Sequence, residues 1–97
     1  MVMKEKKQLE TKPQLEEILE EDRLNQRFLI LHNDEVNTFD YVIETLVNVC
    51  KMDTIQAEQC TYLVHYKGKC DVKKGDFDYL KPYKEALIDK GLEATID

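Results

Sequence analysis

The chain predicts an α+β domain built in two layers. The element order is β-α-α-β-α-β, with a small three-stranded antiparallel sheet, helices on one face and a flexible tail in front. Three observations lead there. The short apolar run Phe28-Leu29-Ile30-Leu31 has the length of a buried strand and breaks into the polar His32-Asn33-Asp34-Glu35. Apolar residues then recur at spacings of three and four in separate stretches, the signature of helices packed by one face. The chain closes on Leu92-Glu93-Ala94-Thr95-Ile96, which alternates as a strand does.

The 97 residues hold one domain at most. Met1 to about Asn25 is dense in Lys, Glu and Gln and is interrupted by Pro13, and Leu15, Ile18 and Leu19 are too few to make a core. It reads as a mobile tail that either is inert or serves as a handle for a partner. The domain then spans 26–97, roughly 70 residues, a size that buries only about 60% of its unfolded surface and leaves little room for a deep catalytic cleft.

Each element has a local cause. Arg27 to His32 forms the first strand. Asn37 or Thr38 caps the first helix, with Asp40 near its positive dipole end. Phe39, Val42, Ile43, Leu46 and Cys50 line its apolar face, and Asp40, Glu44, Asn48 and Lys51 its polar one. After a break at Met52-Asp53, the pair Asp53 and Gln56 resembles a capping box. The second helix packs through Ala57, Cys60 and Val64, flanked by Thr61 and Leu63, and stops at Gly68. Lys69 to Val72 is a short strand and Lys73-Lys74-Gly75-Asp76 a turn. Phe77, Leu80, Tyr83 and Leu87 mark a third helix, whose regular part should begin near Lys81 because Pro82 suits a first turn. Gly91 ends it.

Composition narrows the function. A net charge of −6 gives no basic footprint for nucleic acid. No apolar run approaches the ~20 residues of a membrane span. Cys50, Cys60 and Cys70 are an odd set without a CxxC, which fits reduced thiols in a cytoplasmic protein, and their spacing of ten matches no structural period. No pair among these cysteines, His32 and His65 has the short spacing of zinc ligands, so no metal and no cofactor is expected. A Cys60–His65 nucleophile pair is disfavoured, because five residues along a helix do not aim two side chains at one point. Asp34 and Glu35 are adjacent, so on an extended segment they point opposite ways and make a poor acid–base pair. His65, at the end of the second helix, reads equally as a surface residue stabilised by the helix dipole and as a hydrogen-bonding imidazole beside an apolar wall.

The polar junction and the second helix together carry a resemblance. Asn33-Asp34-Glu35, the helix beginning Phe39-Asp40-Tyr41-Val42-Ile43, Ala57-Glu58-Gln59, and Val64-His65-Tyr66-Lys67-Gly68-Lys69 resemble the ClpS adaptor family. Its pattern has Asn-Asp-Asp after the first strand and Val-His-x-x-Gly at the end of the second helix, and the spacing from Asn33 to His65 matches without a gap. The resemblance covers about Phe28 to Ile96.

It implies a non-enzymatic adaptor that binds substrates with a destabilising N-terminal residue (Phe, Tyr, Trp or Leu). The adaptor hands these N-degron proteins to the N-terminal domain of a Clp ATPase, of the ClpA or ClpC type, for unfolding and proteolysis. Carried over, Asn33, Asp34 or Glu35, and His65 would hold the substrate's α-amino group. Asn37, Phe39, Val42, Thr61, Val64 and Leu92 would form the pocket for its side chain. An ammonium offers three donors and a charge, and an amide oxygen, a carboxylate and a neutral imidazole are matching acceptors. This chain departs from the pattern at Glu35, where the family has Asp, and at Phe39, where many members have a gating Met. It also has Asn37-Thr38 in place of Thr-Pro and a shortened Asp71 to Lys81 segment. The rival readings are a protein-binding module of the same topology, like the ribosomal stalk domain, and a small cysteine or metal enzyme. A monomer is expected.

Overall fold

In a computed structural model, residues 25–97 are described. The predicted tail lies, up to residue 24, outside the described residues. The elements are β1 (Arg27–His32), α1 (Phe39–Cys50), α2 (Thr54–Lys67), β2 (Lys69–Gly75), α3 (Phe77–Asp89) and β3 (Glu93–Ile96). This is the predicted β-α-α-β-α-β order, and the three strands form one antiparallel sheet in the order β2-β1-β3. Leu29 and Leu31 of β1, Val72 of β2 and Ala94 of β3 join Leu46, Ala57, Cys60, Val64, Leu80 and Leu87 of the helices in one core. Leu29, Leu31, Leu46, Leu80 and Leu87 are fully buried, each contributing ~1.5–3 kcal/mol relative to an exposed side chain.

Capping sets the helix starts. Thr38 Oγ1 accepts from the Tyr41 amide at 3.2 Å, and an Asp53 carboxylate oxygen accepts from the Gln56 amide at 2.8 Å. Gly68 ends α2 with φ of 92°, a left-handed conformation that favours glycine, and its N–H bonds the Val64 carbonyl at 2.9 Å.

Two local expectations are corrected. The turn read at Lys73-Lys74-Gly75 is strand: β2 continues to Gly75, pairing Lys73, Lys74 and Gly75 with Leu29, Phe28 and Arg27. A bulge between Leu29 and Ile30 absorbs one extra residue of β2. The Lys73 ammonium lies 4.6 Å from the Tyr83 ring centre and 5.8 Å from that of Tyr79, a cation–π contact that suits a lysine to this strand. The third helix begins at Phe77 rather than near Lys81, so Pro82 sits inside it. Asp76 caps it by accepting from the Tyr79 amide at 2.8 Å. Burial of Leu80 and Leu87 on the core side then outweighs the one helical bond that proline forfeits.

The cysteine spacing has no periodic meaning, yet the fold brings the thiols together. Cys50 and Cys60 are buried and Cys70 half-buried. Cys70 Sγ donates to the Asp71 carbonyl at 3.5 Å. Interaction with Cys70, followed by burial, pushes the Cys60 thiol far above the usual range. The same interaction, against the effect of burial, draws Cys70 below it. Burial raises Cys50, partly offset by Lys73.

Candidate functional site

The end of β1 delivers the polar stretch to the mouth of α1, and α2 returns its last turn to the same place. The tie between them is backbone: the Asn33 N–H donates to the Gly68 carbonyl at 2.9 Å. The glycine that stops α2 therefore also sets Asn33 beside the turn that carries His65.

Between these segments lies a cavity of about 40 Å³. Its apolar lining is Leu31, Phe39, Val42, Val64 and Leu92, and its polar lining is His32, Asn33, Asp34, Asn37, Thr61 and His65. Leu31, Thr61, Val64 and Leu92 are buried, Phe39 and Val42 half-buried, and Asn33 and His65 exposed. The cavity thus grades from an apolar interior to a polar mouth. Thr61 contributes little polarity, because its hydroxyl donates back to the Ala57 carbonyl at 2.7 Å.

Asp34 is the fixed anion of the mouth. One carboxylate oxygen accepts from the Val36 amide at 2.9 Å and the Asn37 amide at 2.8 Å, and the other from Asn37 Nδ2 at 3.0 Å. Burial pushes its carboxyl up, but the bonds from Asn37 and Val36 outweigh this and hold it below the usual carboxylate range. Three of its roughly four acceptor positions are used, which leaves one for a ligand. Asn37 Nδ2 also donates to the Gly91 carbonyl at 2.9 Å, and the Tyr41 hydroxyl donates to the Lys90 carbonyl at 2.6 Å. These two bonds hold the turn after α3 against the start of α1 and so place Leu92 in the cavity wall.

Of the residues read from the sequence, the structure gathers Asn33, Asp34, Asn37, Phe39, Val42, Thr61, Val64, His65 and Leu92 around this one cavity. Glu35 is not among its lining residues and is exposed. The Asx turn at Asp34 points that carboxylate inward and carries the next residue away. Leu31 and His32 also line the cavity and were missed. The available signal was their position, immediately before Asn33 at the end of the strand. His32 Nε2 lies 2.7 Å from Thr95 Oγ1 on β3.

Phe39 packs edge-on against Tyr62, with ring centres 5.4 Å apart, and against His65, at 5.0 Å. Among the described residues, no group of three or more His, Cys, Asp or Glu side chains is placed to hold a metal ion. Among them, too, no helix is long and apolar enough to cross a membrane.

The chain matches the family model of the ATP-dependent Clp protease adaptor protein ClpS over residues 23–95. Its fold is similar to that of Agrobacterium tumefaciens ClpS2 bound to L-phenylalaninamide. The TM-score is 0.69 and the identity 22%, covering 75% of this chain and 95% of that one.

Proposed function

Because the chain belongs to the ClpS family of Clp protease adaptors, we propose that it is a non-catalytic adaptor for proteins with a destabilising N-terminal residue. It binds them by the α-amino group and a hydrophobic side chain and delivers them to a Clp ATPase. The observation that carries this reading is the pairing of a small apolar cavity with an anchored carboxylate at its mouth. The Asp34 carboxylate keeps a free acceptor position, and the Asn33 amide oxygen and a His65 imidazole nitrogen supply two more, matching the three donors of an ammonium. L-phenylalaninamide, the ligand of the Agrobacterium relative, is a free amine joined to a benzyl side chain and an amide. That is the chemistry this site suits.

Hydrolysis of ATP and peptide belongs to the partner, through the N-terminal domain of a ClpA- or ClpC-type ATPase. The adaptor works as a cytoplasmic monomer without metal or cofactor. Residues 1–12 serve delivery rather than recognition, so deleting them preserves peptide affinity and impairs degradation of a reporter substrate.

The deciding experiment is fluorescence anisotropy with a Phe-starting peptide and its N-acetylated twin. The expected result is binding of the free amine at least about tenfold tighter than the twin, since acetylation removes the charge and two donors. Equal affinity for the two would instead fit a protein-binding module of the same topology. Absence of binding to either would overturn the reading.

A further inference from the structure

The aromatic residues of α2 form more than an exposed patch. Phe39 touches Tyr62 edge-on at 5.4 Å and 81°, and His65 at 5.0 Å and 75°. Tyr62 stacks on Tyr66 at 6.2 Å and 8°, and Tyr66 meets His65 edge-on at 4.9 Å and 78°. The four rings close a circuit. Tyr62, His65 and Tyr66 share one face of α2 through spacings of three and four, and Phe39 leans on that face from the first residue of α1. Tyr62 is 50% and Tyr66 75% exposed, so core packing does not account for either tyrosine.

Phe39 is one of the apolar walls of the cavity, beside Leu31, Val42, Val64 and Leu92. The position of its ring therefore bears on the space a ligand side chain finds, and Tyr62 touches that ring.

We infer that Tyr62, backed by Tyr66, is a positioning residue that clamps Phe39 across the cavity and so sets the size of N-terminal side chain the site admits. The inference rests on the adaptor reading above. The clamp acts through Phe39 and not by touching the ligand, so its signature is a change in selectivity rather than a uniform loss of binding.

The test compares wild type, Tyr62→Leu and Tyr62→Phe, using peptides that start with Leu, Phe and Trp. An edge-to-face pair is worth about a two- to tenfold factor in an equilibrium. In Tyr62→Leu the Trp-to-Leu affinity ratio should rise by that amount. Tyr62→Phe keeps the ring and should match wild type. The second readout is independent of ligand. The chain has three phenylalanines, so 4-fluorophenylalanine labelling gives three fluorine lines, with that of Phe39 assigned by its loss in Phe39→Leu. The Phe39 line should shift and sharpen in Tyr62→Leu and stay put in Tyr62→Phe. An unchanged affinity ratio in Tyr62→Leu overturns the proposal whatever the spectrum shows. If wild type binds no free-amine peptide, the adaptor reading fails, and the fluorine line then decides whether Tyr62 holds Phe39: an unchanged line refutes the clamp too.

Discussion

Replacing Asn37 by Ala removes two hydrogen bonds from one amide. Its Nδ2 donates to the Asp34 carboxylate at 3.0 Å and to the Gly91 carbonyl at 2.9 Å. The first is charge-assisted and half-buried, worth about 1–2 kcal/mol; the second is exposed, worth about 0.5–1 kcal/mol. The expected loss of folding stability at about pH 7 is therefore ~1.5–3 kcal/mol. The pH dependence separates the two bonds. The folded-state pKa of Asp34 lies below its ordinary 3.8, so its stabilisation is present above that value and is lost as pH falls through the lowered one. Asn37→Ala retains the two backbone donors but weakens the depression. The difference from wild type should thus be largest near neutrality and shrink as acid protonates Asp34 in both proteins. Urea unfolding at a series of pH values measures this directly. Asn37→Asp sharpens the test, because a second carboxylate beside Asp34 should cost more at neutrality and be relieved by acid. A difference below about 0.3 kcal/mol, or one that stays constant across the acid limb, would show that the bridge between Asp34 and Gly91 does not hold this site together.

His65→Ala should weaken binding of a free-amine peptide by removing one acceptor for its ammonium, and His65→Gln, which keeps an acceptor, should retain more of the affinity. Equal anisotropy titrations for wild type and His65→Ala would leave His65 a helix-end residue. Phe39→Met replaces a rigid ring with a flexible chain and should widen tolerance for large or branched N-terminal residues; identical binding ranks for Phe, Leu, Trp and Ile peptides would refute it. Among the thiols, Cys70 is half-buried and drawn toward the thiolate, so timed iodoacetamide labelling with mass mapping should find it modified first, before Cys50 and Cys60. Faster labelling of Cys60 would reverse the assignment within the pair.

Much of this protein is legible one element at a time. The apolar run of β1, the spacings of α1 and α2, the caps Thr38 and Asp53 and the stop at Gly68 all act within a few residues, and the structure reproduces them. Part of the cavity's lining was legible for the same reason: Asn33 and Asp34 follow β1, and Val64 and His65 close α2, each in a contiguous motif. The misreadings arose where a local preference met a distant partner. Lys73 to Gly75 has turn chemistry, but pairing with β1 and the rings of α3 make it strand. Pro82 argues for a late helix start, but the Asp76 cap and the buried Leu80 start it early.

Pattern along the chain tells which face of an element is apolar and carries no term for where another element lands on it. The central place of β1 in the sheet is a tertiary result. So are the bonds from Asn37 to Gly91 and from Tyr41 to Lys90, across 54 and 49 residues, which bring Leu92 to the cavity. The choice between Asp34 and Glu35, by contrast, is made within one turn: bonds from Val36 and Asn37 hold Asp34 at the cavity, and the apolar pattern, in which adjacent carboxylates are alike, does not record it. Cys60 and Cys70 come together because β2 lies against α2, and Phe39 meets Tyr62 and His65 because α1 packs against α2. Local chemistry selects the elements at the range of a helical turn. The contacts that make a pocket of them form only when all the apolar faces are buried together, and no stretch of this chain contains that information alone.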